Sequence, residues 1–434
     1  MAANVETLGT LERRVSMSLP VNEIDKQVDE RLKKLARNVR MPGFRPGKVP
    51  LKLVTQTYGP QVRSEVLGEA VQKTFTEVVK EAKLKVAGYP KIEKKDGSSE
   101  TSLEFSATFE IYPEVKLGDV SSRSIERPQV AVSDAEVDKT IEILRKQRTR
   151  YVEVQRAAQD GDRLLVDFDG TIAGQPFQGG KAENFAFVPG QGRMLPEFEA
   201  AARGMSAGES KSFTLTFPAD YHGKDVAGKD ASFELSLRKV EKPELPELDA
   251  EFAKVLGVAD GDLGKMRTEI RANVGREVTT RIDARVKNQA LQALLDSTPL
   301  ELPKSLIEME SQELVQRAAA DLQARGVKLG EAPLNPAVFE ATAKRRVALG
   351  LIINELQNTE NLKPKPAEVR ALVEQEAQSY ESPAEVVKWF YMQPQRLSEM
   401  ESAALEANVV KWVLSKAKVV DKEIPFDELM GANA

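Results

Sequence analysis

The sequence predicts a multidomain α+β protein: an N-terminal α+β domain, a central antiparallel β-sheet domain with a short helix, and an all-helical C-terminal region. Three observations carry this. At 434 residues the chain holds about three domains of roughly 150 residues, each large enough for its own core. Between Tyr151 and Val240 stand ten of the 25 aromatic residues and eleven of the 27 glycines. After Pro243-Glu244-Leu245-Pro246, a proline-marked linker, strand patterns vanish and helical ones run to about Lys418.

In chain order, Val5 to Leu19 alternates like a strand. Ile24, Val28, Leu32, Leu35 and Val39 then step like one helix face, as do Leu67, Val71, Phe75, Val78 and Ala82. Thr101 to Ile111 closes this first part as a strand, giving an N-terminal domain over 1–112. The stretch 113–150 joins it to the rest and ends in a helix from Ser133 to about Arg150, with Ser133 or Asp134 as cap. The aromatic-rich part, 151–242, reads as strands at Arg163–Phe168, Asn184–Val188, Lys211–Phe217 and Ser232–Val240, separated by turns such as Asp169-Gly170, Gly179-Gly180 and Pro189-Gly190. From 246 to 434 helices are expected, one opened by Leu263, Met266, Ile270 and Val274, others beginning at Pro303, Pro336, Pro366, Pro383 and Pro394. Val386, Val387, Trp389, Phe390 and Tyr391, with Val409, Val410, Trp412, Val413 and Leu414, form wide apolar faces that read chiefly as helix-on-helix core.

Composition excludes most polar chemistry. There is no cysteine and one histidine, so thiolate metal sites, disulfides and Cys nucleophiles are absent, and a Ser-His-Asp or His-ligated site would depend on His222 alone. The net charge of -5 is mild. Met1 to Thr10 carries an acid and no apolar core, which reads as no secretory signal, and the longest apolar run, Val347 to Ile353, is far short of a membrane span. A cytoplasmic protein without membrane or metal partners is the expectation.

Against that background Arg31 to Pro50 stands out, with seven basic residues and no acid. It ends in Met41-Pro42-Gly43-Phe44-Arg45-Pro46-Gly47-Lys48-Val49-Pro50, where glycines and prolines stiffen a projected loop and Phe44 beside Arg45 has the composition of an interface anchor. Two readings fit: an anion-seeking docking loop suited to a phosphate backbone, or a solvated basic helix end followed by a turn. Gly43-Phe44-Arg45-Pro46-Gly47-Lys48-Val49-Pro50 resembles the Gly-Phe-Arg-x-Gly-x-x-Pro signature of the trigger factor family, bacterial ribosome-associated chaperones. The resemblance implies docking beside the ribosomal exit tunnel, on a tunnel-rim protein and adjacent ribosomal RNA. Phe44, Arg45 and Lys48 would be the contacts, and Gly43, Pro46, Gly47 and Pro50 would shape the loop.

In the middle part the aromatics read either as an ordinary β-domain core or as an apolar pocket. Phe168-Asp169-Gly170, Gly174-Gln175-Pro176-Phe177, Phe185-Ala186-Phe187-Val188-Pro189-Gly190 and Met194-Leu195-Pro196-Glu197-Phe198 resemble, in order and spacing, the FKBP-type prolyl isomerases. By that resemblance Phe168, Phe177, Phe198, Tyr221 and Phe233 are the catalytic lining and Phe185, Met194, Leu195 and His222 the substrate-binding set. This chain departs from the small isomerases at Phe198, where they carry tryptophan, at Phe168, where they carry tyrosine, and at Gln178, where they carry aspartate. His222 reads as a shaper of the pocket rim, with general acid–base work as the alternative.

The whole-chain resemblance implies an ATP-independent chaperone with no cofactor, an elongated helical body with arms, and nascent and unfolded polypeptides as partners; a basic docking loop and exposed apolar faces would favour a homodimer that hides them off the ribosome. No Gly-x-x-x-x-Gly-Lys-Ser/Thr loop occurs. Two other readings stay open at this point: a stand-alone isomerase whose flanks only tether it, and an RNA-binding protein using the Arg31 to Pro50 patch.

Overall fold

A computed structural model describes residues 5–42, 44, 48–95, 101–221, 223, 225–327, 334–378, 380 and 382–431. The elements begin with β1 (Val5–Thr7), β2 (Glu12–Pro20), α1 (Val21–Asn38), α2 (Leu51–Glu81), β3 (Val86–Lys94), β4 (Ser102–Ile111) and β5 (Ser124–Gln129). They continue with α3 (Asp134–Gln147), β6 (Arg150–Glu153), β7 (Arg163–Ile172), β8 (Gln175–Phe187), α4 (Pro196–Ala202), β9 (Ser210–Thr216) and β10 (Asp230–Glu244). The remainder is α5 (Ala250–Val255), α6 (Leu263–Ser297), α7 (Lys304–Ala324), α8 (Glu340–Thr359), α9 (Pro366–Ala377), α10 (Pro383–Met392), α11 (Pro394–Lys416), β11 (Lys418–Glu423) and α12 (Phe426–Met430). The chain divides into two compact units, Met1–Arg127 with Ala284–Lys422, and Pro128–Asp283 with Glu423–Ala434.

In the first unit an antiparallel sheet of order β1-β2-β4-β3 carries the α1–α2 pair on one face. Period-two alternation puts Val15, Met17 and Leu19 of β2 inward, facing Ala107, Phe105 and Leu103 of β4. They meet Ile24, Val28 and Leu32 of α1 and Val71 and Phe75 of α2, with the Phe75 and Phe109 rings edge-to-face at 5.2 Å. Helix α2 begins at Leu51, well before the predicted segment, because Val54, Val62 and Val66 extend its apolar face through Gly59-Pro60, a pair that reads as a breaker. Exposed ion pairs stitch α1 to α2, Arg31 to Glu69 at 2.7 Å and Arg63 to Asp25 at 2.7 Å.

Strand β3 was not among the predicted strands: Gly88, at φ +77°, and Pro90 interrupt its alternation, and the register slips between Ala87 and Lys91. The irregularity has a use. A Cβ on Gly88 would lie 2.6 Å from Ser305 Cβ, so glycine lets the start of α7 approach the sheet. There the Glu110 carboxylate accepts the Lys304 N–H at 3.0 Å, the Ser305 N–H at 2.7 Å and the Ser305 hydroxyl at 2.7 Å. It serves as a cap supplied from another element.

Further along, Pro336, Pro366, Pro383 and Pro394 each occupy a first helical turn, Pro336 in a 3-10 turn over Pro336–Phe339, while Pro303 stands just before α7. On α11, Val409 and Val413 are buried as expected, whereas on α10 only Phe390 is. Trp389, Tyr391 and Met392 are exposed, so the aromatic face there is less core than its pattern suggests. The C-terminal region also holds a strand. β11 pairs with β5 across 294 residues of sequence, held by Arg127 on Asp421 and Lys422 on Glu126, and sequence pattern carries no signal for so distant a parallel partner.

In the second unit α3 starts at a capping box: the Ala135 N–H donates to Ser133 Oγ at 3.2 Å and the Ser133 N–H to Glu136 Oε2 at 3.0 Å. Val137 and Ile141 pack with Phe252, Met266, Ile270 and Val274. The β part is a five-stranded antiparallel sheet, β6-β10-β7-β8, with β9 also on β10. β10 runs through Pro243, which pairs opposite Tyr151, so the expected linker starts two residues later. Inward positions Ala231, Phe233, Leu235 and Leu237 alternate until a bulge at Arg238 resets the phase to Val240.

Burial pushes the Glu110 carboxyl up, but the hydrogen bonds from Ser305 and Lys304 and the Lys304 charge outweigh it and hold the group below its ordinary value. A carboxyl depressed in the folded state stabilises it above the unfolded value of about 4.3, and that contribution is lost as pH falls through the folded value. Glu110→Ala is therefore expected to speed amide exchange at Lys304 and Ser305 by about tenfold at pH 7. The gap between variant and parent should narrow as pH drops from about 5 toward 3.

Candidate functional site

Strands β7, β8, β9 and β10 and helix α4 enclose a cavity of about 860 Å³. Its floor is Phe198, 2% exposed, set on the first turn of α4 behind Pro196. The ring meets Phe168 at 5.4 Å, Phe213 at 5.6 Å, Phe187 at 5.7 Å and Phe233 at 5.8 Å, all edge-on. Edge-to-face contacts of this kind add about 0.5–1.5 kcal/mol each beyond burial.

Two glycines give the walls their shape. Phe233 of β10 stands opposite Gly170 of β7, where a Cβ would lie 2.4 Å from the Phe233 ring. A Cβ on Gly180 of β8 would lie 2.8 Å from the Phe177 ring and 2.8 Å from the Gly170 carbonyl oxygen. The strands therefore carry glycine where large rings lie flat against backbone. Phe177 in turn meets Phe217 at 5.9 Å and Phe233 at 6.1 Å.

Of the nine pocket residues named from sequence, Phe168, Phe177, Met194, Leu195, Phe198, Tyr221 and Phe233 line this cavity. Phe185 does not. It is 37% exposed on the edge strand β8, with its ring against Phe168 at 5.7 Å and stacked on Phe187 at 6.4 Å. The extra residue at Asn184, φ +52°, where the β7–β8 register slips, sets Phe185 opposite buried Val166 and in phase with Phe187, so it faces inward, but on the sheet's edge strand its ring stays partly exposed and off the cavity lining. His222 lies outside the described residues. Leu215, Phe217 and Val226 line the cavity without having been named. For Leu215 and Phe217 the signal was present, since Phe213, Leu215 and Phe217 alternate at period two.

Gln178, Arg193 and Asp225 also join the lining, two of them charged. Among the described residues no His, Cys, Asp and Glu cluster could hold a metal ion. Tyr221 leans on Phe217 at 4.9 Å in the loop closed by the Gly228 N–H on the Phe217 carbonyl at 3.1 Å. Behind the cavity, Asp167 accepts the Asn184 N–H at 2.7 Å and pairs with Arg238; these bonds hold its carboxyl below the usual range and pin the irregular turn of β8. An apolar chamber of this kind can bind a proline ring and desolvate the amide before it.

The second candidate lies between α1 and α2. Its ends are anchored: Val49 is buried, Met41 packs against the core and Pro50 starts α2, accepting the Leu53 N–H at 3.0 Å. Phe44 is 41% exposed and Lys48 and Pro50 are exposed, while Gly43, Arg45, Pro46 and Gly47 lie outside the described residues. The basic patch is narrower than the sequence suggests, because Glu69 engages Arg31. Lys33, Lys34, Arg37, Arg40 and Lys48 make no ion pair among the described residues.

Comparison with known proteins bears on the family and its domains. The family pattern "Bacterial trigger factor protein (TF)" matches residues 1–144, "Bacterial trigger factor protein (TF) C-terminus" matches 262–415, and "FKBP-type peptidyl-prolyl cis-trans isomerase" matches 154–238. The trigger factor of Aromatoleum aromaticum is 54% identical over 431 residues, 99% of each chain. That of an Azoarcus species is 55% identical over 421 residues, 97% of this chain and 96% of its own. A solved structure described as "Promiscuous Substrate Recognition in Folding and Assembly Activities of the Trigger Factor Chaperone" aligns over 95% of this chain and 99% of its own, at 18% identity and a TM-score of 0.47. With relatives this similar over nearly its full length, the chain belongs to the trigger factor family of chaperones and carries an FKBP-type peptidyl-prolyl cis-trans isomerase domain.

Proposed function

We propose that the cavity floored by Phe198 is where X-Pro bonds turn, that the loop Gly43 to Pro50 docks the protein beside the ribosomal exit tunnel, and that the helical region shields emerging chains. The observation that carries the isomerase site is an apolar chamber built from seven of the residues expected there. Rotation about a peptide bond meets a barrier of roughly 18–20 kcal/mol because amide resonance is strongest in the planar form, and X-Pro bonds interconvert in tens to hundreds of seconds unaided. An apolar cradle disfavours the dipolar resonance form and so lowers the barrier without making or breaking a bond. Phe168, Phe177, Phe198 and Phe233 hold the ring, Met194 and Leu195 support the flanking chain, and the Tyr221 hydroxyl or a backbone N–H holds the carbonyl. His222 shapes the rim in this reading.

For docking, the exposed Phe44 between anchored loop ends, beside basic residues on α1 that make no ion pair among the described residues, supports a contact with both a tunnel-rim protein and ribosomal RNA. The division of labour would follow 1–112 for docking, 151–242 for isomerisation, and 113–150 with 246–434 for the chaperone body. Exposed Trp389, Tyr391 and Met392 on α10 support weak, multivalent holding of unfolded chains, which also permits release. No helix among the described residues is long and apolar enough to cross a membrane. A cytoplasmic location, and a homodimer that covers the docking loop off the ribosome, complete the reading.

Phe177→Ala, which opens a wall of the cavity from a half-buried position, is expected to lower kcat/KM on an X-Pro peptide by about tenfold or more while the domain stays folded. Gly170→Ala should crowd Phe233, lowering activity and destabilising the domain by about 1–3 kcal/mol. Unchanged rates in both would contradict the assignment of the cavity. Replacing Phe44, Arg45 and Lys48 together by Ala should abolish co-sedimentation with ribosomes and leave peptide isomerisation untouched; retained sedimentation would count against the loop.

A further inference from the structure

We propose that Glu199 is a positioning residue for the isomerisation: its carboxylate holds the Gly190 amide, and with it the turn that carries Met194 and Leu195 into the cavity wall. The inference rests on the isomerase reading of that cavity.

Glu199 follows Phe198 on α4 and is 5% exposed. Its Oε2 accepts the Gly190 N–H at 2.8 Å. Its Oε1 is buried and accepts nothing, alone in this among the buried side-chain polar atoms of the described residues. Burying a carboxylate with half its acceptors unmet is costly, and an apolar residue of the same size would fill the space more cheaply. What only an acceptor supplies there is the bond to Gly190. The turn needs it: Gly190 and Gly192 stand at φ +92° and +65°, conformations that are entropically expensive to hold in glycine. Its other fastening is the long bond from the Gly161 N–H to the Pro189 carbonyl at 3.3 Å. Between these two points and the start of α4 run Gly192, Arg193, Met194 and Leu195, all on the cavity lining. One side chain thus ties the wall to the helix that carries the floor.

The test uses the full-length protein and a protease-free X-Pro tetrapeptide isomerisation assay, with Glu199→Gln and Glu199→Leu. Gln keeps an acceptor for Gly190 and should leave kcat/KM within about twofold of the parent; Leu fills the space without one and should lose about tenfold. The Leu variant should unfold at a temperature no lower than the parent, because a poorly satisfied buried charge has gone. A Leu variant as active as the parent would overturn the proposal, as would a Gln variant that loses as much as Leu. If the Leu variant does not fold, hydrogen exchange of the Gly190 amide in the Gln variant decides: parental protection supports the tether, and loss of protection overturns it. An inactive parent protein would instead refute the isomerase reading itself.

Discussion

The burial of the Phe198 ring among Phe168, Phe187, Phe213 and Phe233 is the interaction on which the isomerase part depends. It closes the end of a β sheet that would otherwise leave its inner face wet, and it does so with shape alone. Everything around it accommodates that ring cluster. Gly170 and Gly180 recede so that Phe233 and Phe177 can lie against backbone, α4 is short and fixed by Pro196, and Arg238 bulges out so that β10 can keep both ends of its inner face buried. A chain with no cysteine and one histidine has little else to catalyse with, and rotation about an amide needs little else.

The same economy marks the N-terminal part. Its sheet and two helices form a conventional core, and what is distinctive is spent on the loop between the helices. Val49 and Met41 hold the loop ends in the core while Phe44 stays outside it. Arg31 belongs to the scaffold through Glu69, while the basic residues nearer the loop make no ion pair among the described residues. Glu110, at the end of β4, then caps α7, so that helix begins at a defined place on this domain.

Much of this was legible in the sequence, for physical reasons. Helix faces at Ile24 to Leu32 and Met266 to Val274 and the strand alternation of β2 and β10 follow directly from period, and the proline starts of α9, α10 and α11 follow from what proline can and cannot donate. The pocket was legible through the order of its aromatic and glycine motifs. What escaped depended on distant partners or local irregularity. β3 is broken by Gly88 and Pro90, β11 exists because β5 lies beside it, and α2 runs through Gly59-Pro60 because the core holds both sides. Phe185 is on the inner face, as its spacing suggests, but β8 is an edge strand and its ring stays off the cavity lining. On α10 the apolar pattern was plain; that only Phe390 would be fully buried was not.

The central claim is that the Phe198 cavity turns X-Pro bonds by shape and desolvation, without proton transfer. The most direct test is the pH dependence of kcat/KM on an X-Pro peptide from pH 6 to 8.5, in light and heavy water. The account predicts a flat profile and a solvent isotope effect near one. A titration with a midpoint near the ordinary histidine value of about 6.5, joined to a substantial isotope effect, would contradict it and make His222 an acid–base catalyst.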